Sequence, residues 1–309
     1  QVNVVDKDGN TPLHTAVKRQ NVKVIQELLD ADADPCQKNI KWDAPLHIAA
    51  KKGEVAIVTA LLEAGADINK KNKLGHTPLH FAVGQKRADI ARKLRDEGAD
   101  FGLEDETGAG VLHFAARGGG KHFFALLDPN GLEVNRATKA GLTPLHFAAW
   151  NGNTVALEWL LKINDIKLID VRKQDELGNT ALHFAASNYV EIVAGESPGQ
   201  GEVAIVTALL EAGAKINKKN KRGHTPLHYA VGQGRADIAR KLCDEGADFG
   251  LEDETGAGVL HFAARGGGKD IFALLDPNGL EVNRATKAGL TPLHFAAWSG
   301  NTVALEWLL

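Results

Sequence analysis

One quartet of residues recurs through the chain at a nearly constant interval. Its form is Thr-Pro-Leu-His or a close variant, and its copies begin at Thr11, Ala44, Thr77, Gly110, Thr143, Thr180, Thr225, Gly258 and Thr291. Successive copies start 33 residues apart, except for steps of 37 and 45 residues from the fifth to the sixth and from the sixth to the seventh. Such a period indicates one small supersecondary unit repeated many times, rather than the two globular domains that 309 residues would otherwise suggest.

Each unit predicts two short helices. In the third unit Gly75 marks a turn, Thr77 can cap a helix, and Pro78 takes the first helical position, where its missing N–H costs nothing. A second helix is predicted in the segment EVAIVTALLEAG, whose apolar residues recur at helical spacing and which stops at a glycine: Ile57, Val58, Leu61, Leu62 and Gly65. One such unit cannot bury its apolar face by itself, so neighbouring units must stack.

These motifs resemble the ankyrin repeat, and the resemblance covers essentially the whole chain. It implies an all-α solenoid of stacked helix-turn-helix units with β-hairpin fingers, built as a single array of about nine repeats over residues 1–309. It also implies that the fingers and first helices line a concave groove that binds protein partners. We number the fingers in chain order, so that finger 3 precedes the quartet at Thr77.

A block of several such units is itself repeated in the sequence. Residues 54–161 recur as residues 202–309 with eight differences in 108 positions. The copy predicts either one surface presented twice, as in a bivalent binder, or a duplication without a second site. Two insertions, near 162–176 and 187–201, separate the copies. Ser197, Pro198 and Gly199 mark the second as a loop, which is either a partner site or a tolerated insertion.

Composition narrows the class of protein. The net charge is −3, with 24% charged and 44% hydrophobic residues, which gives no strong attraction to nucleic acid or an anionic membrane. No apolar run approaches the roughly 18 residues of a membrane span, so no membrane insertion is expected. Cys36 and Cys243 are too few and too far apart for a disulfide framework, which favours an intracellular, cytoplasmic location, including the host cytosol for a bacterial effector.

Two motifs raise chemical alternatives. His76 and His80 stand four residues apart, a spacing that binds zinc on one helix face. The helix start at Thr77 separates them, however, and the resemblance implies that the quartet histidine is a structural hydrogen-bonding residue. The glycine runs in 117–124 and 265–272 offer backbone N–H groups to an anion, but they do not fit the phosphate-loop pattern and favour tight turns. We therefore predict no catalytic, metal-binding or cofactor-binding residue, no cofactor, and no enzymatic activity.

The finger tips alternate in charge. Finger 3 is basic, finger 4 acidic and finger 5 basic, and fingers 7, 8 and 9 repeat this order. The candidate partner-binding residues are Lys70, Lys71 and Lys73; Glu104, Asp105 and Glu106; Arg136 and Lys139; Lys218, Lys219, Lys221 and Arg222; Glu252, Asp253 and Glu254; and Arg284 and Lys287. The pattern predicts a striped docking surface, charge balance within the chain, or both.

Three tryptophans complete the candidate surface. Trp150 and Trp298 end first helices, and Trp42 lies near the tip of finger 2. Tryptophan is enriched in binding hot spots, although at helical spacing it also serves as core. Trp159 and Trp307, on second helices, are weaker candidates.

Taken together, these patterns predict a monomeric, non-enzymatic scaffold that binds a protein partner through the groove and the finger tips. The alternative is the recognition arm of a larger protein, such as a bacterial effector, a channel or a signalling enzyme, whose active domain lies outside this chain. The absence of methionine and the final pair Leu308-Leu309 favour a piece cut from a longer chain.

Overall fold

A computed structural model describes residues 2–52, 54–127, 133–163, 169–187, 200–275 and 279–309. These residues form eighteen α-helices, which alternate in chain order between the first and the second helix of a pair. They are α1 (Pro12–Arg19), α2 (Val22–Asp30), α3 (Pro45–Lys52), α4 (Val55–Glu63), α5 (Pro78–Gly84), α6 (Ala88–Asp96), α7 (Val111–Gly118), α8 (Lys121–Phe124), α9 (Pro144–Trp150), α10 (Thr154–Lys162), α11 (Ala181–Ser187), α12 (Gln200–Glu211), α13 (Pro226–Gly232), α14 (Ala236–Asp244), α15 (Val259–Gly266), α16 (Lys269–Leu275), α17 (Pro292–Ser299) and α18 (Thr302–Leu308). The all-α fold of repeated helix pairs is confirmed.

The helices belong to two compact units. One comprises Gln1–Ala140 with Ile163–Leu168, and the other comprises Gly141–Lys162 with Ile169–Leu309. In the first unit the first helices pack in the order α1, α3, α5 and α7, and in the second unit in the order α9, α11, α13, α15 and α17. Second helices form a parallel layer within each unit, for example α2 on α4 and α12 on α14. The single array over residues 1–309 stays a prediction.

The quartet starts each first helix in the manner that its residues predict. Thr77 has extended backbone angles, and Pro78 follows it as the first residue of α5. Leu79, Ala82 and Val83 then point into the core, where each is at most 1% exposed. On the second helix α6 the buried side chains are those at helical spacing, which are Ile90, Ala91 and Leu94. Each helix therefore buries one stripe between its neighbours.

The fingers contain less β structure than predicted. Among the described residues, the only β pairing consists of two isolated antiparallel bridges, Glu104 with Gly110 and Glu252 with Gly258. Both bridges lie in fingers whose following helix starts with valine, Val111 or Val259. Finger 3 is followed by Pro78 at that position, and proline has no backbone N–H to donate to a ladder.

The first glycine run forms the predicted tight turn between α7 and α8. A Cβ at Gly119 would lie 2.7 Å from the carbonyl oxygen of Ala115, so a side chain is excluded by close approach of the backbone. Most of the second insertion, including Ser197, Pro198 and Gly199, lies outside the described residues. Within the described part of the chain, no helix is long and apolar enough to cross a membrane.

Candidate interaction surface

Backbone hydrogen bonds join the tips of neighbouring fingers. In each case an N–H at the tip of one finger donates to a carbonyl at the tip of the preceding finger. In the first unit the bonds are Ile40 to Asp8 (3.0 Å), Lys73 to Lys41 (3.1 Å), Glu106 to Leu74 (3.0 Å) and Lys139 to Thr107 (2.8 Å). In the second unit they are Lys221 to Leu177 (2.9 Å), Glu254 to Arg222 (3.0 Å) and Lys287 to Thr255 (2.8 Å). We call this series the tip ladder. It fixes which side chains of adjacent fingers stand next to one another.

Several quartet histidines contact the backbone of the next finger. His14 Nε2 lies 2.9 Å from the carbonyl oxygen of Asp43 in the next finger, and His183 Nε2 lies 3.1 Å from that of His224. His47 Nε2 contacts two carbonyl oxygens of finger 3, those of Lys70 and His76. These contacts agree with the structural role that the family resemblance implies.

His76 and His80, which stand four residues apart, contact different partners. His76 Nε2 lies 3.3 Å from Asp105 Oδ2 of the next finger, whereas His80 turns its Nδ1 to Thr77. Among the residues that the structure describes, no group of three or more His, Cys, Asp or Glu side chains is arranged to hold a metal ion.

The central acid of each acidic tip faces inward. Only 6% of the Asp105 side chain is exposed. Its Oδ1 accepts hydrogen bonds from Thr107 N (2.8 Å), Thr107 Oγ1 (2.6 Å) and Ala109 N (2.9 Å). Partial burial by itself would raise the pKa of Asp105, but the Thr107 and Ala109 donors and the nearby His76 bring that pKa below its ordinary value. Asp253 repeats this arrangement with Thr255, Ala257 and His224.

The outer acid Glu104 and its copy Glu252 are paired within their units. Arg136 Nη1 lies 2.7 Å from Glu104 Oε1, and Arg284 Nη2 lies 2.5 Å from Glu252 Oε1. Arg136 also donates to the carbonyl of Gly102, and hydrogen bonding to Glu133 is the main cause that raises its pKa. Part of the alternating charge is therefore balanced inside the chain.

Several basic side chains are also engaged. Lys71 Nζ donates to the carbonyl of Glu104 at 2.7 Å, and Lys219 Nζ does the same to Glu252. Lys287 Nζ donates to the carbonyl of Glu254, and Lys70 Nζ lies 3.7 Å from Asp67. In the second copy Lys215 replaces Asp67 beside Lys218.

Lys218 is half-buried, and six further candidates of the tips are exposed. Their charged groups form no ion pair with any described residue. They are Lys73, Glu106, Lys139, Lys221, Arg222 and Glu254.

The exposure of the tryptophans depends on where they lie in the repeat. Trp150 stacks on Phe184 of the next repeat, with ring centroids 5.5 Å apart, yet remains 44% exposed. Trp298 stands at the same position of the last first helix and is 85% exposed. Trp159 and Trp307, on second helices, are both partly buried. The exposed tryptophans therefore lie on fingers and first helices.

Trp42 occupies the position of a glycine. In the other eight fingers the corresponding residue is a glycine with positive φ: Gly9, Gly75, Gly108, Gly141, Gly178, Gly223, Gly256 and Gly289. Trp42 adopts φ 61° in the same place, and 52% of its surface is exposed. Lys38 Nζ lies 4.8 Å from the centre of its indole ring.

The residues around Trp42 were missed by sequence reasoning. Ile40 and Leu74 are exposed at the tips of fingers 2 and 3, next to Lys41. Aligning the fingers at the 33-residue period would have placed Trp42 on the glycine and these residues at adjoining tips. The charge pattern of the tips did not identify Ile40 and Leu74, because both residues are uncharged.

Family models cover most of the chain. The model described as "Ankyrin repeat" matches residues 8–40. The model "Ankyrin repeats (3 copies)" matches residues 38–105, 112–195 and 199–253, and "Ankyrin repeats (many copies)" matches residues 260–309. A comparison with curated proteins finds no match.

Proposed function

The chain belongs to the ankyrin-repeat family, whose repeats generally serve as protein–protein interaction modules, and we propose that it binds a protein partner through its finger tips and first helices. The proposed role is that of a scaffold without catalytic activity. Because a reducing compartment would keep Cys36 and Cys243 as free thiols, we further propose that it acts inside a cell.

The distribution of tryptophan carries this proposal. Trp42 and Trp150 expose large aromatic surfaces on a finger and a first helix, while Trp159 on the second-helix side is partly buried. Tryptophan is enriched among the residues that supply most of the energy of protein interfaces. In each unit, fingers and first helices that expose tryptophan or unpaired charge are suited to recognise a protein.

The hydrogen bonding of the fingers supports the same conclusion. The tip ladder joins neighbouring fingers, and His14, His47 and His183 contact the backbone of the finger that follows them. A surface that is ordered before binding loses little conformational entropy on association, so its side chains can determine specificity. Exposed charges such as Lys73 and Glu106 would then set the orientation of the partner and its rate of association.

Affinity capture with a matched charge control tests the proposal. The whole chain serves as bait, beside a variant with Lys70, Lys71 and Lys73 changed to Glu. The control changes three exposed basic residues of second helices to Glu, namely Lys23, Arg92 and Lys162. Both variants alter the net charge by six units, so a non-specific electrostatic effect would appear in both.

We expect the finger variant to lose partners that the control retains. Partners that survive the finger changes but not the second-helix changes would place the interaction on the other side of the repeats. Equal retention by all three baits would contradict binding through the charged tips.

A further inference from the structure

The backbone conformation of Trp42, with φ 61°, is sterically unfavourable for a tryptophan. Positive φ is uncommon for residues other than glycine and unfavourable for bulky ones. A Cβ at the equivalent Gly75 would lie 2.6 Å from the backbone nitrogen of Glu106, and one at Gly223 would lie 2.6 Å from that of Glu254. The turn of finger 2 thus accepts a side chain that its neighbours could not accommodate without shifting the next finger.

The indole is only partly used in packing. Of the Trp42 surface 52% is exposed, and the ring contacts the half-buried Lys38. Residues held in strained backbone conformations cluster at functional sites. The exposed half of the indole is therefore a candidate contact for a partner.

Around Trp42 the tips of fingers 2 and 3 form a mixed patch. We call it the Trp42 patch, and it consists of Lys38, Ile40, Lys41, Trp42, Lys73 and Leu74. The tip-ladder bond from Lys73 N to the Lys41 carbonyl, 3.1 Å long, keeps the two tips adjacent. Ile40 and Leu74 are 58% and 60% exposed. None of the three lysines pairs with a carboxylate among the described residues.

The charge changes sign at the next tip. Glu106 donates its N–H to the Leu74 carbonyl, and its own side chain is exposed and unpaired among the described residues. A polyanion such as a nucleic acid would be repelled at that end of the patch. A protein segment of mixed charge satisfies both ends.

We propose that the Trp42 patch binds an extended acidic protein segment. In this arrangement the segment's carboxylates face Lys38, Lys41 and Lys73, one apolar side chain lies on Trp42, and a basic residue meets Glu106. Tryptophan at the centre of an interface, with charges at its rim, is the usual distribution of binding energy. This inference rests on the proposed function and specifies the partner's chemistry.

The second copy of the block lacks this site. Finger 6, which precedes the basic finger 7, carries Asp175, Glu176 and Gly178 where finger 2 carries Asn39, Ile40 and Trp42. The basic residues Lys221 and Arg222 therefore stand between acidic tips on both sides. Residues 54–161 and 202–309 are nearly identical, but the patch also requires finger 2, which lies outside the copied block. The second copy of the block therefore does not repeat the patch.

Selection from a display library of random twelve-residue peptides tests the inference. The whole chain is the target, and synthetic selected peptides are then titrated by fluorescence anisotropy. We expect the peptides to be enriched in Asp and Glu with one apolar residue. Trp42→Gly should weaken binding at least tenfold, the double change Lys41→Gln with Lys73→Gln three- to tenfold, and Glu106→Lys at least threefold. The matched control, Lys23→Gln with Arg92→Gln on second helices, also removes two positive charges and should change binding less than twofold.

Other results would overturn the inference. Peptides without acidic enrichment, or peptides indifferent to Trp42→Gly, would exclude the patch as their site. Loss of binding only in Trp150→Ala, or only in the double change Lys221→Gln with Arg222→Gln on finger 7, would leave the proposed function standing with its site elsewhere. A fluorescein-labelled 20-nucleotide oligothymidine that binds more tightly than the peptides, and more tightly still to Glu106→Lys, would assign the patch to nucleic acid. A Tm of Trp42→Gly that stays above the temperature of the titration shows that lost binding is not lost folding.

Discussion

The backbone N–H of Thr77 donates a hydrogen bond to Nδ1 of His80 at 3.1 Å. Because a backbone N–H can only donate, Nδ1 must present a lone pair, and the ring proton of the neutral imidazole resides on Nε2. The same bond joins Thr180 to His183 and Thr225 to His228, each at 3.1 Å. Desolvation by burial is the main cause that lowers the pKa of His80, His183 and His228 to about 4.

Stability should fall as the pH is lowered from 6.5 towards 4. In this window the unfolded chain binds protons at these histidines, whose ordinary pKa is 6.5, while the folded chain does not. The free energy of unfolding should drop by up to about 2 kcal/mol for each of the three between pH 7.5 and pH 5. Urea unfolding followed by circular dichroism at several pH values measures this loss.

Protonation of Asp105 and Asp253 does not account for a loss of stability in this pH range. The pKa of Asp105 and of Asp253 is lowered from 3.8, so the stability that they contribute is present above pH 3.8 and is lost only below it. A free energy of unfolding that stays constant between pH 7.5 and pH 5 would contradict the neutral, buried state of the quartet histidines.

Trp42→Gly should lower the free energy of unfolding by no more than about 2 kcal/mol. Relief of the left-handed backbone conformation, about 1–2 kcal/mol, offsets much of the entropy that glycine adds to the unfolded chain, about 0.5–1 kcal/mol, and of the lost burial of half the indole, about 2 kcal/mol. The matched change Gly75→Ala should lower it by about 2 kcal/mol or more, because a Cβ there lies 2.6 Å from Glu106 N. Thermal unfolding of the two variants and the parent chain measures both changes, and a loss well above about 2 kcal/mol in Trp42→Gly would contradict the relief of strain.

The fourth and eighth repeats should be the least stable layers. Gly110 and Gly258 stand at the helix starts where six of the other seven repeats have Thr, and Val111 and Val259 stand where six of those seven have proline. We expect amides of α7 and α15 to exchange with deuterium faster than those of α5 and α13. Equal protection across these four helices would contradict this.

Gly110→Thr should restore part of that stability. The backbone of Gly110, at φ −95° and ψ 178°, resembles that of Thr77 at −91° and 167°, and an added Cβ would meet its nearest neighbour at 3.5 Å. A gain of about 0.5–1 kcal/mol is expected from the cap and from reduced freedom of the unfolded chain. Slower exchange in α7, with α15 as the unchanged internal reference, is the readout.

The ion pair between Arg136 and Glu104 should couple only weakly. Both side chains are partly exposed, so a double-mutant cycle with Arg136→Gln and Glu104→Gln should give a coupling below about 1 kcal/mol that shrinks at high salt. The copy, Arg284 with Glu252, provides an independent measurement of the same pair. A salt-insensitive coupling of several kcal/mol in both would refute this weak, screened interaction.

The local sequence determines the helices and their starting points. The signals act within about four residues: Thr77 caps, Pro78 fits the first turn, and Leu79, Ala82 and Val83 share one face. Their recurrence every 33 residues is enough to predict the repeated helix pair. The same reasoning overestimated β structure in the fingers, because it did not consider that a proline at the helix start, such as Pro78, has no N–H for a β ladder.

Only the tertiary structure decides which tip residues are available to a partner. Asp105 and Glu106 are neighbours in an acidic run, yet the first lies against His76 of the preceding finger and the second stays exposed. Arg136 meets Glu104 from the following finger, and Lys71 donates to the carbonyl of Glu104 from the preceding one. These contacts join residues about 30 positions apart, at distances set by the stacking of whole repeats, which no pattern within a single repeat contains.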